Sequence, residues 1–209
     1  QIEPKDNLAT MISYQENLNN VLIDFSQDIW LYISKGYIKQ LVKDKEVGSS
    51  TMPHKVNPID FENAEGNLKL SNSLLILIKE KIQISRMQRD LSDSTTLRNL
   101  GSALSYSYLA ITSLIKGLSK IQVNKEVLSE DLEANWEVLT EAIQTILRKN
   151  NVKDSYEKIK KLSRGKPFDK NSYLAIIAAL DISEEDKTKL SDLTPLKYIG
   201  LAEKLAKEI

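Results

Sequence analysis

Apolar residues recur every seven positions in three long stretches of this chain, and this spacing constrains the fold more than any other feature. The three series are Met11, Leu18, Phe25 and Tyr32; Phe61, Leu68 and Leu75; and Leu97, Leu104, Ile111 and Leu118. A period of seven places each series on one face of a helix, and such faces pack against one another in bundles. The spacing predicts an all-α fold built on a bundle of three long helices.

Beyond residue 118 the long series give way to shorter helical stretches. Ser183 with Asp186 resembles a capping box, Asn150-Asn151 is suited to end one helix, and Thr194-Pro195 to begin the last. No alternating pattern longer than a few residues, which would predict a strand, occurs in the sequence. We therefore expect residues 1–118 to be part of a helical-bundle domain and residues 119–209 to be a small all-α domain.

Composition argues against several kinds of function. The 29 basic and 29 acidic side chains cancel, so no long-range field attracts nucleic acid or an anionic membrane. With no cysteine and one histidine, disulfides, thiolate chemistry and a zinc site are not expected. Residues 74–78, a fully apolar run, are too few to span a bilayer. We expect a soluble, cytoplasmic protein without cofactor or metal and, because it opens on Gln1 rather than Met, part of a longer chain.

A segment of small, polar and turn-forming residues, 48–58, separates the first two helical series; it reads GSSTMPHKVNP. In a structural interpretation, Gly48 allows a turn, Asn57 caps the second helix and Pro58 takes its first position. In a chemical interpretation, two serines, a histidine and a lysine lie beside a helix N-terminus, which favours an anion. Loops held between rigid elements often carry function, but the spacing alone leaves both interpretations open.

Arginine is concentrated in one place. Only five of the 29 basic residues are Arg, and Arg86, Arg89 and Arg98 lie within thirteen residues of one another. The same stretch holds four hydroxyl residues, Ser92, Ser94, Thr95 and Thr96. Guanidinium groups match carboxylate and phosphate, and hydroxyls add hydrogen bonds to an oxyanion. The alternative is that residues 92–95 only cap the third helix and that the arginines pair with acidic side chains.

Residues 48–58 also resemble the signature loop of the fumarase/aspartase superfamily, G-S-S-x-M-P-x-K-x-N-P. Within that superfamily, His54 and residues 59–67 and 89–99 are similar to the bacterial adenylosuccinate lyases. The resemblance implies a carbon–nitrogen lyase that releases fumarate by β-elimination. Its substrates would be adenylosuccinate, which gives AMP, and the succinyl-carboxamide intermediate of purine synthesis (SAICAR to AICAR).

The resemblance also implies a role for each matched residue. Ser49 would be the base that removes the proton, and His54 a substrate contact rather than a proton-transfer group. The other implied substrate contacts are Gln1, Ser50, Lys55, Asn57, Asn63, Arg89, Ser94, Thr95, Thr96 and Arg98, with the hydroxyl-rich part assigned to the nucleotide phosphate. The family's general acid is a histidine upstream of the matched part, so we expect these 209 residues alone to be inactive.

Members of the family associate as homotetramers, and residues from several subunits meet at each active site. The resemblance therefore implies a homotetramer with shared sites and a small-molecule substrate, with no nucleic-acid or membrane partner. Two alternatives remain at this point. One is another lyase of the superfamily, such as argininosuccinate lyase, and the other is a non-catalytic helical interaction module.

Overall fold

The computed structural model of the protein describes residues 3–41, 57–87, 90–152, 159–160 and 168–208, in two compact units, Gln1–Asn124 and Lys125–Ile209. The first unit contains α1 (Asp6–Ser34), β1 (Ile38–Gln40), α2 (Ile59–Ile82), α3 (Leu91–Leu97), α4 (Leu100–Leu118) and β2 (Ile121–Val123). The second contains α5 (Lys125–Ala134), a 3₁₀ turn (Trp136–Leu139), α6 (Thr140–Lys149), α7 (Lys170–Ala179), α8 (Glu184–Ser191), a second 3₁₀ turn (Pro195–Lys197) and α9 (Ala202–Lys207). The predicted all-α fold is confirmed, with one short strand pair added.

Helix α2 lies between α1 and α4 in the first unit and runs antiparallel to both. Its first half packs with Ile29 of α1 and Leu114 of α4, and its second half packs with Ile12 and Ala103. Phe61, Leu68 and Leu75, the series predicted to face the core, are at most 1% exposed. The predicted interior face of α2 is confirmed.

The predicted interior faces of α1 and α4 are only partly confirmed. Phe25 of α1 packs against the core, and Leu97, predicted to open the third series, packs against it from α3. Met11, Leu18 and Tyr32 are between 39% and 68% exposed, and Leu104 and Leu118 are both 44% exposed. The buried residues of α1 are Ala9, Ile12, Asn19, Ser26 and Ile29, and those of α4 are Ala103, Ser107, Ala110, Leu114 and Gly117. Many of these are small or polar, which lets the helices approach closely and leaves larger apolar side chains on the outside.

A polar layer crosses the middle of this bundle. Asn19 Nδ2 donates to Ser71 Oγ at 3.1 Å and to Asn72 Oδ1 at 2.8 Å, and Ser107 Oγ donates to Asn19 Oδ1 at 3.0 Å. Asn19 is fully buried, and a buried amide without partners would cost about 1–3 kcal/mol. Because these bonds form in only one alignment of the three helices, they favour one register and one placement of the helix ends.

A two-stranded antiparallel sheet closes the end of the bundle where α1 and α4 finish. Ile38 pairs with Val123 and Gln40 with Ile121, and Gly36 turns the chain out of α1 with φ of 75°. The sequence pattern did not predict these three-residue strands. Since β2 pairs with β1, the boundary between the units falls after Asn124, whereas the sequence placed a domain boundary after residue 118.

The second unit has its own apolar core, contributed by α6, α7, α8 and the first 3₁₀ turn. Tyr173 is fully buried, its ring lies 5.6 Å from that of Trp136, and its hydroxyl donates to the Leu190 carbonyl at 2.7 Å. Burial raises the pKa of Tyr173 to about 12, so the hydroxyl stays protonated as a donor. The predicted cap at Ser183 is confirmed, because its hydroxyl accepts from the Asp186 amide at 3.2 Å. Thr194-Pro195 begins a 3₁₀ turn rather than the last helix.

Candidate functional site

The signature segment, residues 48–58, joins the bundle at the end closed by the strand pair, which we call the loop end. The Leu41 amide, just before residues 42–56, donates to the Lys120 carbonyl at 2.6 Å. After those residues, α2 begins at Ile59, and Pro58 occupies the N-cap position. The prediction that Asn57 caps this helix is therefore wrong by one residue.

A buried carboxylate with two lysine partners lies at the loop end. Asp60 Oδ2 is 2.9 Å from Lys120 Nζ, and Asp60 Oδ1 is 3.2 Å from Lys116 Nζ. Burial alone would raise the pKa of Asp60, but the hydrogen bonds and charges of the two lysines outweigh it and lower the pKa. Asp60 is therefore an ionised partner for both lysines at neutral pH, and it ties the start of α2 to the end of α4.

Two of the predicted contacts at the loop end lie within the described residues. Asn57 is half-buried at the entrance to α2, and Asn63 is exposed on the first turns of that helix. The Asn63 side-chain oxygen accepts from Asn67 Nδ2, so its amide nitrogen points away from that bond. Four further predicted site residues, Ser49, Ser50, His54 and Lys55, lie outside the described residues.

The opposite end of the bundle, where α3 packs against the end of α2, is the α3 end. Asp93 of α3 is buried and binds Lys81 at 2.8 Å and Lys5 at 3.2 Å. A cleft of about 370 Å³ opens here and is lined by Glu3, Lys5, Asp90, Leu91, Asp93, Ser94 and Leu97. The ion pairs thus hold the start of the chain, the end of α2 and α3 together around one cleft.

Asp90 is the N-cap of α3, a role that one interpretation of the sequence gave to residues 92–95. Its carboxylate accepts from the Ser92 amide at 2.9 Å and from the Ser92 hydroxyl. These bonds from Ser92, together with the charge of Lys81, lower the pKa of Asp90 to about 2. The Lys81 ammonium also holds the pKa of Asp93 below its ordinary value. Both carboxylates therefore remain ionised well below neutral pH.

The predicted hydroxyl contacts on α3 bond to their own helix in this structure. Ser94 Oγ donates to the Leu91 carbonyl at 2.9 Å, Thr95 Oγ1 to the same carbonyl at 3.3 Å, and Thr96 Oγ1 to the Asp93 carbonyl at 3.0 Å. Each would have to rotate to donate to an oxyanion.

Arg98 follows α3 and is exposed, and among the described residues it forms no ion pair. In the described ion pairs at the α3 end, the basic partners are lysines. The alternative that Arg98 pairs with an acidic side chain is therefore not supported among the described residues. Gln1 and Arg89 lie outside the described residues.

One chain does not bring the two groups of predicted contacts together. Asn57 lies just before α2 and Asn63 lies early in that helix, whereas α3 contacts the last turn of α2 through Asp93 and Lys81. Because 18 residues separate Asn63 from Lys81, these two positions are about 27 Å apart along the α2 axis. A small substrate could touch both groups only if they came from different copies of the chain.

Sequence reasoning missed the lysines that organise both ends, Lys5, Lys81, Lys116 and Lys120. Lysine is the common cation of this chain, and we had treated it as solvated surface charge. One signal was present: Lys116 and Lys120 are four residues apart at the end of a helix, which places them on one face.

The described residues contain neither a candidate metal site nor a helix suited to a membrane. Across residues 3–41, 57–87, 90–152, 159–160 and 168–208, no cluster of three or more His, Cys, Asp or Glu side chains could hold a metal ion. Within the same part of the chain, no helix is long and apolar enough to cross a membrane.

Comparison with known proteins gives matches along the whole chain. A family described as "Adenylosuccinate lyase C-terminal" matches residues 85–199, and one described as "Lyase" matches residues 1–71. Adenylosuccinate lyase of Legionella pneumophila (strain Corby) is 56% identical over 207 residues, which cover 99% of this chain and 45% of that protein. Adenylosuccinate lyase of Escherichia coli (strain K12) is 48% identical over 209 residues, which cover 100% and 46%. The chain thus spans about half the length of these curated relatives.

A solved structure confirms the fold. The 3-carboxy-cis,cis-muconate lactonizing enzyme from Pseudomonas putida superposes with a TM-score of 0.69 at 20% identity, over 99% of this chain and 48% of that one. At this identity the similarity concerns the long-helix architecture.

Proposed function

Because this chain belongs to the adenylosuccinate lyase C-terminal family, we propose that it supplies the C-terminal part of an adenylosuccinate lyase. The observation that carries the proposal is the 48–56% identity to adenylosuccinate lyases along essentially the whole chain, signature segment included. The enzyme would release fumarate from adenylosuccinate to give AMP, and from SAICAR to give AICAR. It would act in AMP and IMP biosynthesis in the cytoplasm, without a cofactor.

The reaction requires a base, an acid and stabilisation of a doubly charged intermediate. Ser49 would take the proton from the carbon next to a carboxylate, and the electron pair would form the double bond of fumarate as the C–N bond breaks. The leaving nitrogen would receive a proton from a histidine in the upstream part of the enzyme. Ser50, Lys55 and Asn57 would hold the carboxylates, where positive charge and N–H groups are most effective.

The α3 end would hold the rest of the substrate. Arg98 is exposed and forms no described ion pair, and Ser94 to Thr96 present hydroxyls on the same short helix. Arginine and hydroxyl donors are suited to a phosphate group. We assign this end to the nucleotide part of the substrate, and Gln1 and Arg89 stay proposed substrate contacts.

The enzyme would be a homotetramer whose active sites are shared between subunits. Two features of the bundle support this proposal. One is the distance of about 27 Å along α2 between Asn63 and Lys81, the residue that binds α3. The other is the outward apolar faces of α1 and α4. Met11 is 68% exposed, Val21 66%, Tyr108 71% and Ile115 65%. Helix faces with several large apolar side chains exposed in this way are typical of subunit interfaces.

An absorbance assay with the full-length protein tests the proposed function. We expect turnover of adenylosuccinate and SAICAR and none of argininosuccinate or aspartate. Turnover of argininosuccinate would favour the other superfamily lyase, and no turnover of any of the four would favour the non-catalytic module. Light scattering should give the mass of a tetramer, and a monomer at micromolar concentration would contradict the shared site.

A further inference from the structure

Lys120 contacts the chain on both sides of residues 42–56. Its backbone carbonyl accepts a hydrogen bond from the Leu41 amide at 2.6 Å, immediately before those residues. Its side-chain Nζ donates to Asp60 Oδ2 at 2.9 Å, in the first turn of α2 just after them. One residue therefore links the point where the chain enters this segment to the point where it leaves.

The Lys120 side chain is held rigidly, unlike most lysines. It is 6% exposed and its Asp60 partner 11%, whereas Lys116, which binds the other oxygen of the same carboxylate, is 56% exposed. Removing an ammonium group from water is costly unless the charge is paired, so the buried Lys120 is confined to positions where it meets Asp60. Lys116 remains largely solvated and is expected to contribute much less.

Neighbouring contacts extend this link in both directions. On the entry side, the Asn124 amide donates to the Tyr37 carbonyl at 2.8 Å, which continues the strand pairing. On the exit side, Phe61 packs directly on Gly117, where an added Cβ would lie 2.9 Å from the ring. Residues 117–124 thus form a frame for both sides of the segment, and Lys120 of that frame bonds directly to both.

We propose that Lys120 is a positioning residue for the elimination reaction. It would act, without touching substrate itself, by fixing Leu41 and the start of α2, the two described flanks of the segment whose sequence includes Ser49, Ser50 and Lys55. This inference rests on the proposed function, because it needs the signature segment to carry the base and the carboxylate contacts.

Two variants of the full-length enzyme test the proposal, Lys120→Met and Asp60→Asn. Misplacing a base by about 1 Å can cost about 100-fold in rate, so we expect kcat to fall about 10- to 100-fold in both. KM should also rise, because the segment holds substrate contacts, whereas a smaller folded fraction would lower apparent kcat and leave KM unchanged. The double variant should be no worse than the worse single variant, because both changes break the same contact.

The matched controls are Lys116→Met and Leu75→Ala. Lys116→Met removes the exposed lysine bound to the same carboxylate, and Leu75→Ala lowers stability from the middle of the bundle without touching Lys120. Both should keep kcat and KM within about twofold when they are assayed well below their unfolding temperatures. If Lys120→Met does not fold, Asp60→Asn, which keeps the side-chain shape, still gives the result.

Hydrogen exchange at the Leu41 amide separates this inference from the proposed function. In Lys120→Met and in Asp60→Asn the Leu41 amide keeps its acceptor, the Lys120 backbone carbonyl. It should nevertheless exchange faster than in the wild type, because residue 120 has lost its side-chain bond to Asp60 of α2. A wild-type protein without lyase activity would refute the proposed function but leave the exchange result standing. Wild-type KM, kcat and Leu41 exchange in both folded variants would overturn the positioning role.

Discussion

The two ends of the bundle are organised alike but differ in exposure. Each has one aspartate shared by two lysines: Asp60 with Lys116 and Lys120 at the loop end, and Asp93 with Lys5 and Lys81 at the α3 end. At the loop end, Lys120 is only 6% exposed, whereas Lys5 and Lys81 are 31% and 25% exposed beside an open cleft.

The difference in burial matches the roles that we propose for the two ends. A buried ion pair holds its partners in one geometry, which a proton-abstracting base requires. Partly solvated ion pairs around a cleft hold less tightly, which suits a binding region whose hydroxyls must rotate toward the substrate. We therefore expect changes at the loop end to affect mainly kcat and changes at the α3 end to affect mainly KM.

Ser49→Ala in the full-length enzyme should have the largest effect. Loss of a general base lowers kcat by about 100- to 10,000-fold, whereas substrate binding, measured by calorimetry, should change little. A variant that kept near-normal kcat would remove Ser49 as the base and with it the catalytic role of the loop end.

Arg98→Ala should have the next largest effect, on binding. Loss of a charge-assisted contact to phosphate should raise KM about 10- to 100-fold, with a smaller change in kcat. Steady-state kinetics with adenylosuccinate measures both constants. If kcat fell and KM did not change, the assignment of binding to the α3 end would be wrong.

The free energy of unfolding should fall more when a lysine is removed at the loop end than when one is removed at the α3 end. Lys120→Met leaves the Asp60 charge buried and should lower the free energy of unfolding by about 3 kcal/mol. Lys81→Met should cost less, because the Lys81 side chain is 25% exposed against 6% for Lys120, while each aspartate keeps a second lysine. Urea unfolding of both full-length variants measures the difference, and equal losses would refute the comparison.

Lowering the pH should give the smallest effect, a loss of folding stability that is confined to acidic pH. Asp90 has its pKa lowered from 3.8 to about 2, and that of Asp93 is also lowered. A lowered carboxylate pKa stabilises the folded state above the unfolded value, and this contribution is lost as pH falls through the folded value. The contribution of Asp90 should therefore be constant above about pH 5 and decline between about pH 4 and pH 2. Urea unfolding at several pH values should show a weaker decline in Asp90→Asn than in the wild type.

The sequence predicted the helices well but not which of their faces are buried. In α2, flanked by helices on two sides, the large apolar residues Phe61, Leu68 and Leu75 are the core residues. In α1 and α4, small and polar residues such as Asn19 and Ser107 face inward, because their hydrogen bonds are made across the bundle. When both faces of a helix carry apolar residues, hydrophobic spacing does not distinguish the core from a surface left for another subunit.

The sequence motif identified site residues one by one, but their arrangement depends on long-range structure. The separation of the two ends follows from the length and direction of α2. The role of Lys120 depends on a backbone bond to Leu41 and a side-chain bond to Asp60, both far away in sequence. The spacing of Lys116 and Lys120 places both on one helix face, but it does not distinguish the buried lysine from the exposed one.

Mixing two impaired variants tests the central claim that each active site combines the loop end of one copy with the α3 end of another. Full-length Ser49→Ala and Arg98→Ala would be mixed under conditions that exchange subunits and assayed at low substrate concentration, where each alone is nearly inactive. If the two ends come from different copies, the hybrids should regain up to about a quarter of wild-type activity, because some sites then draw both segments from unaltered ends. Hybrids that form but show only the average of the two parent activities would contradict the shared site.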